Sequence, residues 1–184
     1  TTECGAGEYS IRHSWKRIDP DHQYQAKAYK GMTTDMFGFF TADRIVYDAK
    51  LGLKQQSKER TLQRHNIWQN WFATDGSLLD PKDRQVRPIV YHVNVDFPDD
   101  LKATAEKVAK QWDVVFRDVV KATGNPYDGA MFILCANNPV ITGDDPLCGN
   151  VGDSPRLGDI RYSFFAYVPK YMKYGLLGLG PSNN

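Results

Sequence analysis

The sequence predicts an α+β fold, α/β-like in its second half. A mixed sheet packs on one long helix, after an irregular N-terminal lobe. Three observations predict it. Ile89, Tyr91, Val93 and Val95 alternate along one face of an extended segment. Leu101, Ala105, Val108, Trp112, Val115, Phe116 and Val119 recur at helical spacing. Met131-Phe132-Ile133-Leu134-Cys135 is an unbroken apolar run, as a strand buried on both faces requires.

The elements follow in chain order. Residues 1–80 read as the irregular lobe and residues 81–184 as the sheet-and-helix half. In the lobe, residues 9–15 alternate weakly, residues 37–47 are aromatic and extended, and residues 58–71 fit a short helix with Leu62, Ile67, Trp68 and Trp71 inward. Lys50, Lys54, Lys58, Arg60 and Arg64 form a basic run, read as a solvated face or an anion site. Turn residues Thr74-Asp75-Gly76-Ser77 and Asp80-Pro81-Lys82-Asp83 connect the halves.

Beyond the connector, the strand at residues 89–95 stops at Phe97-Pro98. Asp99 and Asp100 suit the positive end of the helix that follows, and Gly124-Asn125-Pro126 ends it. Strand, helix and strand make a βαβ unit, whose crossover implies parallel pairing. Residues 160–168 supply a third strand. Gly175 to Pro181 has the composition of an edge strand or a backbone-exposed groove. Trp112 and Phe116 are the expected core anchors of the helix.

Composition narrows the function. The 184 residues carry a formal net charge of +1, balanced within each half, so no electrostatic footprint for nucleic acid is visible. No uncharged stretch is long enough for a transmembrane segment. Three cysteines are present. Cys135 and Cys148 flank a loop where a disulfide fits, although a simply buried Cys135 explains the strand run equally well. Cys4 is left as an unpaired or interchain thiol.

The four histidines, His13, His22, His65 and His92, lack metalloprotease spacing, and no H-E-x-x-H occurs. His92 reads as a hydrogen-bonded structural residue and His65 as a packing residue beside Trp68. Phosphate-loop and serine-nucleophile motifs are absent. Asp144, Asp145, Asp153 and Asp159 are candidate oxygen ligands for calcium.

The segment from Ile89 through Phe97-Pro98, and the helix carrying Gln111-Trp112-Asp113-Val114-Val115-Phe116, resemble the opening of a bacterial family of zincin-like (metzincin-like) zinc metalloproteases. Gly158-Asp159-Ile160-Arg161-Tyr162-Ser163-Phe164 and Gly178-Leu179-Gly180-Pro181-Ser182 are similar to its later landmarks. Phe37-Gly38-Phe39-Phe40-Thr41 and Arg64-His65-Asn66-Ile67-Trp68 are similar to segments of its large extracytoplasmic members, often lipoproteins.

The resemblance implies the sheet and helix of the upper zincin subdomain, truncated before the zinc helix. It implies a zinc metalloendopeptidase whose catalytic residues lie outside this chain. Zinc would be bound by a C-terminal polypeptide carrying H-E-x-x-H. Leu177, Gly178, Leu179 and Gly180 would form a substrate-binding edge strand that pins an extended peptide or protein substrate by backbone hydrogen bonds. The location implied is secreted, periplasmic or cell-envelope. The competing reading is a non-catalytic binding or structural subunit of a cell-envelope assembly.

Overall fold

The computed structural model describes residues 13–17, 24–29, 31, 36, 38, 40–50 and 52–169. The substrate-strand residues Leu177 to Gly180, and Cys4, lie outside the described residues. Strands β1 (Thr41–Asp48), β2 (Gly52–Leu62) and β3 (Ile89–Val93) precede helix α1 (Asp99–Ala122); β4 (Phe132–Cys135) and β5 (Ser163–Phe165) follow it. Short 3₁₀ turns occupy Pro81–Asp83 and Pro146–Cys148. The architecture is mixed α and β with a single long helix and small sheets among the described residues. No helix among them is long and apolar enough to cross a membrane.

The chain divides into two compact units. One holds Pro88–Val120 and Asp128–Val168 with the described part of Thr1–His22. Its sheet has the order β4-β3-β5 and is parallel at both pairings, as the crossover rule requires. The mixed sheet expected from the sequence is thus parallel throughout its described strands. Antiparallel pairing occurs in the separate β1–β2 sheet.

Register assigns the two faces. Ile89 pairs with Phe132, Tyr91 with Leu134 and Ser163, and Val93 with Phe165, and these residues share the face that α1 covers. Tyr91 stacks on Phe132 with ring centroids 5.2 Å apart, and Phe116 of α1 stacks on Phe132 at 6.1 Å. Val93, Phe97 and Ala105 close that core, with Leu134 and Tyr167 against it. On the opposite face, Ile133, Cys135, Val140 and Cys148 pack together over Val90. Cys135 and Cys148 are joined by a disulfide, which ties the buried strand to its following loop.

The helix sits differently from its sequence pattern. Ala105, Ala109 and Val120 are its buried residues. Trp112 is 51% exposed, and Leu101, Val108, Val115 and Val119 are exposed with it. The expectation of Trp112 as a core anchor is therefore corrected, whereas Phe116 does reach the sheet. Two attachments turn the helix. The Asp113 carboxylate accepts from the Met131 and Phe132 backbone N–H groups at 2.6 and 3.0 Å. Ala105 and Ala109 are buried on that side, and the larger stripe faces away from it.

The second unit holds Gln23–Arg87 and Lys121–Tyr127 together with Pro169–Asn184, of which only residue 169 is described. Its β1–β2 hairpin runs from Thr41↔Leu62 to Asp48↔Gly52, with an irregularity between Ile45 and Tyr47. Backbone bonds from Tyr29 to Arg60 and from Leu62 to Lys27 lay another extended segment along β2. This overturns the short helix expected over residues 58–71. Residues up to Leu62 are strand, and Trp68 forms an isolated bridge with Val86. Pairing partners on both edges satisfy the backbone there, which outweighs a weak helical spacing.

Candidate functional site

In the β3–β5 unit, polar side chains hold the loops at one end of the sheet. Asn94 exchanges two hydrogen bonds with the Tyr167 backbone, at 2.8 and 3.1 Å, continuing the pairing beyond β3 and β5. Asn138 donates to the Val93 and Pro155 carbonyls at 2.8 Å each and accepts from the Ser154 hydroxyl. His92 is buried, with Nε2 3.0 Å from the Cys148 carbonyl and its ring edge-on to Tyr162. The carbonyl only accepts, so Nε2 carries the proton and donates. Nδ1 has no hydrogen-bond partner among the described residues. His92 is thereby the structural histidine its strand position suggests, anchoring the disulfide loop to β3.

The aspartates named as calcium ligands cap their own turns. Asp144 accepts from Ile141 N–H and the Asn137 amide, and Asp145 from Leu147 N–H. Asp153 accepts from Asn150 N–H at 2.8 Å beside Gly149, whose φ is 116°. A Cβ at Gly149 would lie 2.9 Å from Asp153 Oδ2, so only glycine fits there. Asp159 holds Arg161 through both oxygens. Among the described residues, no group of three or more His, Cys, Asp or Glu gathers to hold a metal ion. The four aspartates named as calcium candidates do not come together as one such group.

Two clefts stand out among the described residues. One, of about 430 Å³, is lined by His13, Ser14, Trp15, Ser154, Arg156 and Arg161, among others. Ser14 donates to the Gly158 carbonyl, and Trp15 is almost fully exposed. No sequence pattern unites these residues, because Ser14 and Gly158 are 144 positions apart. The other cleft, of about 550 Å³, is lined by Gln69, Arg84, Gln85, Asn125 and Tyr127 in the second unit.

Arg84 is buried beside that second cleft. Its guanidinium lies 4.5 Å from the Trp71 ring centroid and 5.7 Å from that of Trp68, and Nε and Nη2 both donate to the Leu79 carbonyl. Burial lowers its pKa, opposed by the nearby Asp80. The Asn125 amide donates to the Pro81, Lys82 and Arg84 carbonyls, a tie that keeps this strand of chain in place. Arg64 stacks over Tyr24 and Trp71 and donates to the Gln25 carbonyl, while Arg60 pairs with Asp43 at 2.9 Å. These two members of the basic run are thus committed to structural contacts. His65 is part-buried, and burial holds its pKa below the ordinary 6.5.

No known protein family, curated protein or solved structure matches this chain.

Proposed function

We propose that the chain is the scaffold portion of an extracytoplasmic, zincin-like zinc metalloprotease. The observation that carries this reading is convergence. Three of the six segments bearing the resemblance, residues 89–98, residues 111–116 and residues 158–164, meet in one compact unit as β3, α1 and the approach to β5. They are far apart in sequence, and β3 lies at the centre of the parallel order β4-β3-β5.

On this reading the chain contributes the sheet, its long helix and a substrate-pinning edge at Leu177, Gly178, Leu179 and Gly180. By the resemblance, zinc and the general base would belong to a companion segment carrying H-E-x-x-H. The Cys135–Cys148 disulfide supports an oxidising, extracytoplasmic location.

Isolation of the native material, followed by intact mass and metal analysis, tests the proposal. The expected result is an H-E-x-x-H segment covalently continuous or associated with this one, and about one zinc per complex. A folded, metal-free monomer of these 184 residues alone would overturn it in favour of the non-catalytic binding module.

A further inference from the structure

Arg84 is only 8% exposed, yet it lines the cleft of about 550 Å³ in the second unit. Its contacts within the chain use one side of the guanidinium. Nε and Nη2 donate to the Leu79 carbonyl, and the group lies over the Trp68 and Trp71 rings. Nη1 makes no hydrogen bond among the described residues and is not sealed from solvent. One end of the fork is held, and the other is open.

The charge has no counter-ion. Among the described residues, no carboxylate lies within ion-pair distance of Arg84. Asp80 acts on it only at longer range, and the Asp80 carboxylate accepts from the Lys82 backbone N–H. A second cation adds to the imbalance. Arg64 lies 5.2 Å from the same Trp71 centroid and also forms no ion pair among the described residues. Stacking on indoles eases the burial of a guanidinium, but buried charges are as a rule paired. An open donor on an uncompensated, buried cation that borders a cleft fits an anion.

The remaining lining indicates what carries that anion. Gln69 and Gln85 face one another in extended chain, with the Gln69 N–H donating to the Gln85 carbonyl at 2.9 Å. Both are exposed, and neither side-chain amide makes a hydrogen bond among the described residues. The Asn125 amide is taken up by three carbonyls and adds no donor. Val86 and Pro126 supply apolar surface in the same cleft.

We propose that this cleft binds a small organic carboxylate, with its head on Arg84 Nη1 and its apolar body against Val86 and Pro126. The glutamine amides at the rim supply further donors to the head. The volume is that of a small-molecule site, and apolar walls with a few polar groups are the usual make-up of one. A bare inorganic anion leaves those walls unused.

The inference stands on the second unit and is independent of zinc or proteolysis. The test titrates the isotope-labelled 184-residue chain with hexanoate and follows the Arg84 Nε–H resonance, assigned by its loss in Arg84→Lys. Saturable movement of that resonance is expected, together with that of the Trp71 indole N–H. Hexanamide, the same body without the charge, should bind about tenfold more weakly, as should inorganic phosphate. Gln85→Glu sets a like charge in the cleft and should weaken hexanoate about tenfold while sparing hexanamide. Arg84→Lys keeps the charge but not the fork, and should weaken hexanoate about tenfold, read from the Trp71 resonance. Should that chain lose its circular dichroism, Gln85→Glu at its exposed position decides alone.

An Arg84 resonance that hexanoate leaves unmoved, or moves no more than hexanamide does, makes Arg84 a structural stack only and overturns the proposal. Phosphate binding as tight as hexanoate means that the apolar walls are not read, and overturns it too. Hexanoate binding that Gln85→Glu leaves unchanged puts the ligand elsewhere, with the same consequence.

Discussion

Trp112 lies on the most regular apolar stripe in the sequence and is half exposed, whereas Trp68 and Trp71 lie in an irregular segment and are each only 6% exposed. The difference is partners. Trp71 donates its indole N–H to the Asn66 side chain at 3.0 Å and has the guanidinium of Arg84 over its ring. Trp112 has Phe116 beside it on its own helix at 6.0 Å and keeps half its surface open. Periodicity records which side chains can be buried together. Which ones are buried depends on what the rest of the chain brings to them.

The largest effect that could break this contrast is in the Trp71 site. Trp71→Ala should cost about 3–5 kcal/mol in urea or guanidinium unfolding, since it empties a packed site and strips the ring from beneath Arg84. A loss below about 1 kcal/mol would place Trp71 with surface residues and erase the contrast.

The disulfide comes next. Removing the Cys135–Cys148 link, by Cys135→Ala with Cys148→Ala or by reduction, should cost about 3 kcal/mol for a loop of this length. Unfolding midpoints with and without reductant measure it, and two alkylatable thiols in unreduced protein would remove the bridge altogether.

Asn125→Ala should cost about 1–3 kcal/mol, because the carbonyls of Pro81, Lys82 and Arg84 lose a shared donor in a buried place. Thermal unfolding reads the loss; an unchanged midpoint would mean that water replaces the amide freely.

Trp112→Ala sharpens the comparison from the other side. In the isolated chain it should cost under about 1 kcal/mol, as surface substitutions do. A cost near that of Trp71→Ala would require the exposed stripe to be covered in solution.

The smallest expected effect is on pH dependence. Burial lowers the His65 pKa in the folded chain, so the unfolded chain binds a proton that the folded chain resists. The His65 contribution is therefore fully present above about pH 6.5 and is lost as the pH falls below it. Unfolding midpoints at pH 7.5 and 5.5 should differ less in His65→Gln than in the parent. An equal difference in both would assign the acid sensitivity to other groups.

Much of the β3–β5 unit was legible because its signals are local and mutually reinforcing. Alternation at Ile89 to Val93, the apolar run at residues 131–135 and the breaks at Phe97-Pro98 and Gly124-Asn125-Pro126 each restrict the backbone within a few residues. The Cys135–Cys148 link was one of two readings of the sequence. The second unit was harder to read, since β2 looked helical until its partners β1 and residues 27–29 were known. The cleft around His13 and Arg156 left no trace in the sequence, its two sides being remote from one another.

The sequence by itself determined the order of strand, long helix, strand and third strand, through short-range periodicity and turn chemistry. The tertiary structure alone decided which flank of α1 is buried. Asp113 reaching two backbone N–H groups and Phe116 stacking on Phe132 are long-range contacts, and they rotate a helix whose seven apolar positions leave its facing free. Side-chain spacing fixes the width of an apolar stripe, but only a partner surface fixes its direction.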